Sequence, residues 1–278
     1  VNDALGEGTF DGNMLHRLLH NPAKKERFIN DLLNAMERYH FQGINIDFEE
    51  LKEQSDEPLI AFQHELFQKF HAKGLLVTQD VMAGNSDFNY KRLSACNDYM
   101  VLMAYDEHFS TSTPGAVGSQ QWIEKMLDEA AADIPSNKII LGVAGYGYDW
   151  SDGAEATTVT YQQALANAAQ YKATIHFDNH TYSSNYRYSD GDGRQHQVFF
   201  NDAAGNFNTL RFADEYGVAG TALWRLGSED ERLWKFYSRN LGNDSLQAHP
   251  FSMARLEKVQ TPVQTPDYIG DGEVLNVI

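Results

Sequence analysis

Short runs of almost purely apolar residues alternate along this chain with stretches whose apolar residues recur every three to four positions. That alternation limits the folds open to it more than any other feature. Residues 43–48, Leu75 to Met82, Tyr99 to Tyr105, Ile139 to Tyr146 and Val218 to Trp224 read as strands. Between them, Phe28, Leu32 and Met36 line one helical face, and Leu59, Phe62, Leu66 and Phe70 line another that stops at Gly74. Asn21-Pro22 supplies a cap and a first-turn proline for the first of these helices. Ser119 to Ala132 reads as a third helix, ended before Pro135, and a further one is expected near Glu229 to Asn240. Apolar strands that alternate with helices predict a parallel sheet covered by helices. A doubly wound sheet and a (β/α)8 barrel both satisfy that pattern.

Residues 151–210 break the rhythm. They are rich in Tyr, Asn, Asp and Gly, with alternating stretches at Thr174 to Phe177 and Gln197 to Phe200. Asp190-Gly191-Asp192-Gly193 reads as a hairpin turn in preference to a calcium loop. This segment is expected to be a small α+β insertion before the last strand. From Leu241 the pattern fades, and Thr261-Pro262 and Thr265-Pro266 suggest that 241–278 is a linker and the start of a following module.

Composition narrows the function. The 278 residues are 42% hydrophobic, enough for a sizeable core, and carry a formal net charge of -17. An acidic chain is a poor partner for nucleic acid or an anionic membrane surface and suits a neutral ligand such as a glycan. The single Cys96 excludes an internal disulfide, and no apolar run reaches the roughly 18 residues of a membrane span. No His, Cys or Asp spacing makes a metal site, so neither metal nor cofactor is expected.

The chemistry centres on Gly43-Ile44-Asn45-Ile46-Asp47-Phe48-Glu49. Strand alternation puts Ile44, Ile46 and Phe48 on one face and Asn45, Asp47 and Glu49 on the other. Three polar residues on a buried face are costly unless used. Two carboxyls two residues apart cannot both ionise cheaply, so one is held protonated and can act as a general acid. An acidic strand end that merely caps the following helix would contain the same carboxyls, but it does not call for the apolar–Asn–apolar–Asp–apolar–Glu order.

That segment resembles the signature of family 18 glycoside hydrolases, an Asp-x-x-Asp-x-Asp-x-Glu run on the fourth barrel strand. The final Glu falls on Glu49 and the preceding Asp on Asp47, while the first two Asp positions fall on Gln42 and Asn45. Asn45 can hydrogen-bond Asp47 but cannot share a proton with it. Met103-Ala104-Tyr105-Asp106 resembles the sixth-strand segment of the family, Leu141 to Gly147 the seventh, and Gly220 to Trp224 the eighth. Tyr146 to Trp150 and Trp224 to Gly227 are most similar to a bacterial spore-cortex and peptidoglycan-directed subgroup.

The resemblance spans about residues 1–240 and implies a (β/α)8 TIM-type barrel. With the first strands absent and Val1-Asn2-Asp3 as the tail of a third-strand equivalent, the sequence is expected to be a fragment of a larger multidomain polysaccharide-processing protein. The resemblance further implies retaining, substrate-assisted hydrolysis of an N-acetylated polysaccharide outside the cytoplasm. Glu49, Asp47, Tyr105 and Asp106 would be the catalytic residues, and Asn45, Met103, Tyr146 and Trp224 the substrate-binding ones. A glycan-binding domain without hydrolysis on the same scaffold is the alternative, and retention of the acid Glu49 favours the enzyme.

Overall fold

The computed structural model describes residues 1–4, 10–51 and 57–234. The expected linker at 241–278 lies outside these residues, as does most of the helix expected to reach Asn240. Two compact units are present, one of Val1–Met103 with Glu129–Ile140, the other of Ala104–Asp128 with the chain from Leu141 onward.

In the first unit, α1 (Gly12–Leu19) starts where the Asp11 carboxylate accepts from the amides of Asn13 and Met14. Next, α2 (Pro22–Tyr39) is capped by Asn21, whose side chain accepts from Lys24 N, with Pro22 in its first turn. The chain then enters β1 (Gly43–Ile46), α3 (Glu57–His71), β2 (Leu76–Met82), the short α4 (Tyr90–Ser94) and β3 (Tyr99–Met103). Leu59, Phe62, Leu66 and Phe70 of α3 are all fully buried, as their spacing requires. The strands β1, β2 and β3 pair in parallel and in chain order, Asn45 opposite Thr78 and Asp80 opposite Val101. Strands added in one direction are the barrel habit, whereas a doubly wound sheet reverses its order. Val1 to Asp3 runs alongside β1: Asn2 forms a parallel bridge with Asp47, and Asp47 N donates to Val1 O at 2.7 Å. Residues 1–3 thus lie beside β1, on the side away from β2, where a preceding strand would pair.

The unit boundaries fall inside α5 (Gln120–Asp133) and β4 (Ile139–Ala144). The sequence reads a single strand from Ile139 to Tyr146, but the chain breaks at Gly145, whose N–H donates to Trp224 O at 2.7 Å. A Cβ on Gly145 would lie 3.0 Å from Glu229 Cβ and 3.1 Å from Leu223 Cδ1, so a glycine lets the backbone pass there.

Beyond it, β5 (Tyr146–Ser151), β6 (Thr157–Thr160), α6 (Tyr161–Gln170), β7 (His176–Asp178), β8 (Ser183–Ser189) and β9 (Gln195–Phe200) build a second sheet of order β6-β5-β9-β8-β7. All its pairings are antiparallel. The Asp190 turn joins β8 to β9, its carboxylate accepting from Asp192 N and Arg194 N, both at 2.9 Å, with Gly193 at φ +82°.

This inserted α+β element therefore runs from Tyr146 to Phe200, against the 151–210 read from sequence. Residues beyond it form α7 (Ala203–Glu215), capped by Asp202 and leading into β10 (Gly220–Trp224). Every residue of α7 from Ala203 to Leu210 is buried, polar Asn206 and Asn208 included. A helix buried on all sides has no apolar stripe for periodicity to detect. Among the described residues, β1 to β4 and β10 are five strands of the barrel kind, where a closed barrel has eight.

Candidate active site

In the first unit, β1 presents its residues as alternation demands. Ile44, Ile46 and Phe48 are buried, and Asn45, Asp47 and Glu49 are half-buried on the opposite face. Glu49 lies just beyond the C-terminal end of the strand, where barrel active sites are built. Its backbone N–H donates to Asp3 Oδ1 at 3.1 Å and that of Glu50 to Asp3 Oδ2 at 3.2 Å. Asp3 thereby fixes the turn that carries Glu49.

Asp47 and Glu49 emerge on the same face, and each carboxyl perturbs the other. Burial pushes the Glu49 carboxyl up to about 7, and the charge and hydrogen-bonding capacity of Asp47 and the charges of Asp3 and Asp80 add to the rise. Burial also raises Asp47, while the amino terminus and Glu49 pull it back. The pair thus retains a proton near neutrality. Asp47 Oδ1 is buried and has no hydrogen-bond partner among the described residues. A buried acceptor left in this state is costly unless a ligand completes it.

Asn45 departs from the expectation of a bond to Asp47. Its amide donates instead to Thr78 Oγ1 at 3.0 Å and Asp80 Oδ1 at 2.9 Å, both on the neighbouring strand β2. The register explains this, since Asn45 sits opposite Thr78 and Asp80 is the next residue on the same face.

In the second unit, Asp106 takes φ +61°, a left-handed conformation that Asp tolerates better than most residues. Its Oδ1 accepts from Tyr146 OH at 2.5 Å and Tyr148 OH at 3.0 Å. Burial raises the Asp106 carboxyl, and the two phenols hold it down. Burial and the Asp106 charge push Tyr146 well above its usual range, so it stays a donor. The Tyr105 ring meets the edge of Tyr146 at 6.3 Å, and Tyr146 that of Tyr148 at 5.6 Å. A cavity of about 350 Å³ opens here, lined in part by Asp106, Tyr146, Tyr148, Thr158, Trp224 and Arg225. Trp224 is 56% exposed, a large apolar face shown to solvent at the end of β10.

The structure therefore gathers Asn45, Asp47 and Glu49 in the first unit and Tyr105, Asp106, Tyr146 and Trp224 in the second. Met103 is half-buried on β3, in register with Met82. Sequence reasoning passed over Asp3, Asp80 and Tyr148. Tyr148 shares the parity of Tyr146 and was within reach of the alternation argument. Asp80 was masked by Gln79, a polar residue on the buried outer face of β2, where it accepts from Asn97 Nδ2 at 3.2 Å. Asp3 precedes Glu49 by 46 residues, and no local pattern links them.

Comparison with known proteins shows the family and the fold. The family pattern described as Glycosyl hydrolases family 18 matches residues 4–230. YdhD of Bacillus subtilis is 31% identical over 233 residues, covering 80% of this chain and 56% of that protein. The cortical fragment-lytic enzyme of Bacillus subtilis is 30% identical over 235 residues, covering 80% of this chain and 54% of that protein. The chain thus spans about half the length of these curated relatives. The crystal structure of a chitinase from Chromobacterium violaceum superposes with a TM-score of 0.80 at 29% identity, covering 87% of this chain and 79% of that one. The strand–helix succession is accordingly that of a TIM-type barrel with an α+β insertion before its last strand, and the chain belongs to glycosyl hydrolases family 18.

Proposed function

We propose that this chain hydrolyses β-glycosidic bonds in an N-acetylglucosamine-containing polysaccharide by a retaining, substrate-assisted route. The observation that carries the proposal is the placement of Asp47 and Glu49 side by side at the C-terminal end of β1 in a family 18 chain, where burial and Asp47 raise the Glu49 carboxyl. A carboxylic acid that stays protonated near neutrality can protonate a leaving glycosidic oxygen and, once ionised, activate water. Most retaining glycosidases use a second carboxylate as nucleophile, and family 18 uses the acetamido oxygen of the substrate instead. Asp47 suits the supporting role, since its buried and unpartnered Oδ1 can accept from an acetamido N–H and its charge favours a cationic ring intermediate.

The remaining roles follow from side-chain chemistry. Tyr105 donates to the acetamido group, and Asp106, oriented by Tyr146 and Tyr148, shapes the sugar site. Trp224, exposed at the end of β10, offers its face to a sugar ring, and the family resemblance gives Met103 and Tyr146 as further substrate-binding residues. Asn45 holds the inner face of β1 against β2. The chemistry needs no cofactor. Relatives named as cortical fragment-lytic enzymes support a cell-wall glycan as substrate and a place of action outside the cytoplasm. No helix among the described residues is long and apolar enough to cross a membrane.

The test is release of reducing ends from N-acetylglucosamine oligomers by the parent chain and its Glu49→Gln variant. The variant is expected to lose roughly two to four powers of ten in rate, the usual contribution of a general acid. An active variant would remove Glu49 from the mechanism. Binding by the parent without cleavage of any N-acetylated glycan would favour a glycan-binding domain.

A further inference from the structure

The aligned position of the family signature calls for a carboxylate where this chain has Asn45, yet β2 brings one within hydrogen-bond reach of the Asn45 amide. Asp80 sits half-buried on the inner face, one step along β2 from the residue opposite Asn45. The Asn45 amide holds it at 2.9 Å and is itself steadied by Thr78 Oγ1 at 3.0 Å. We propose that Asp80 is a positioning residue of the candidate site, supplying from the neighbouring strand the carboxylate that Asn45 lacks beside the Asp47–Glu49 pair. The proposal rests on the hydrolase reading for its role in catalysis, but not for its electrostatics.

Three observations support it. Asp80 makes no ion pair with a Lys, Arg or His side chain among the described residues. It feels Asp47, and Glu49 in turn feels Asp80, so the three carboxyls form one electrostatic unit. Burial, the largest cause, and Asp47 push Asp80 itself up to about 6, against the pull of the Asn45 bond and of the amino terminus. Across β3, Asp80 faces Val101, and Tyr99 lies opposite Thr78, so that side brings no charged group beside it. On the side of β1, besides Asp47, Glu49 feels the Asp80 charge. A negative Asp80 favours the protonated form of Glu49 and thus extends the working range of the acid towards higher pH.

A carboxyl–amide exchange between the two strands tests this. Asp80→Asn keeps a hydrogen bond to Asn45 but removes the charge, Asn45→Asp places a second carboxyl against Asp80, and the double variant restores one carboxyl and one amide in mirrored places. Two quantities are read on each chain: the titration of Glu49, followed through carbon-13 labelled glutamate carboxyls, and the pH profile of glycan hydrolysis.

Asp80→Asn is expected to move both the Glu49 midpoint and the alkaline limb to lower pH. Above that midpoint its rate should fall up to roughly tenfold for each unit that the midpoint drops, as the protonated fraction of Glu49 falls. The double variant should regain most of the midpoint and the rate. An unmoved Glu49 midpoint in Asp80→Asn, or a double variant no better than either single one, would overturn the proposal. A midpoint that shifts and recovers in a chain that cleaves nothing would instead remove the hydrolase reading and leave the electrostatic partnership standing. If Asp80→Asn fails to fold, the folded double variant still decides through its Glu49 midpoint, which must lie close to the parent value.

Discussion

Glu49→Gln should make the protein more stable at alkaline pH, although it is expected to abolish turnover. In the folded chain the Glu49 carboxyl is raised from 4.5 to about 7, a difference of 2.5 units. Each unit is worth about 1.4 kcal/mol, so ionised Glu49 disfavours the fold by at most about 3.4 kcal/mol. Partial exposure, and the option of moving the charge onto Asp47, reduce this to roughly 1–2 kcal/mol.

The folded state binds this proton more tightly than the unfolded one. Stability from that proton is therefore complete below about 4.5 and is lost as pH rises through about 7. Gln is isosteric with the protonated acid and escapes the loss. Thermal unfolding of parent and variant at pH 4 and pH 8 reads it directly. Near-equal midpoints are expected at pH 4, and at pH 8 the variant should be higher by roughly 2–8 °C. Comparing the two chains at each pH cancels the titration of the groups that do not interact with Glu49. An equal difference at both pH values, or a variant less stable at pH 8, would refute the claim that burial and Asp47 hold the Glu49 proton.

Two further outcomes follow from the second unit. Tyr146→Phe removes the 2.5 Å bond to Asp106, one of two that hold its carboxyl down, so the Asp106 carboxyl should rise and the acid limb of the pH–rate profile move to higher pH. An acid limb that stays in place would show that Asp106 does not titrate in the reaction. Trp224→Ala should leave the unfolding midpoint within the small range of surface changes, because the ring is 56% exposed. Its KM for N-acetylglucosamine oligomers should rise roughly three- to tenfold, the scale of one aromatic stacking contact, and an unchanged KM would deny the ring a place under the sugar.

The sequence alone determined the class of fold and pointed to the carboxyl proposed as the acid. Fully apolar strands and striped helices require helices packed on a parallel sheet, and α3 and the strands β1, β2 and β3 lie within a residue or two of their sequence-based bounds. Because side chains on a strand alternate, Asn45, Asp47 and Glu49 had to share a face opposite Ile44, Ile46 and Phe48. The tendency of one of two neighbouring carboxyls to keep its proton could be stated before any coordinate was known.

Tertiary structure decided what depends on distant partners. Gly145 splits an apparent single strand because Glu229 and Leu223 crowd it, and α7 hides from periodicity because it is buried on every side. Asn45 turns to Asp80 and not to Asp47 because strand register, a property of two segments 35 residues apart, sets which groups meet. Local pattern fixes the face on which a side chain emerges, whereas the partner it finds there depends on packing between segments that only the folded chain brings together.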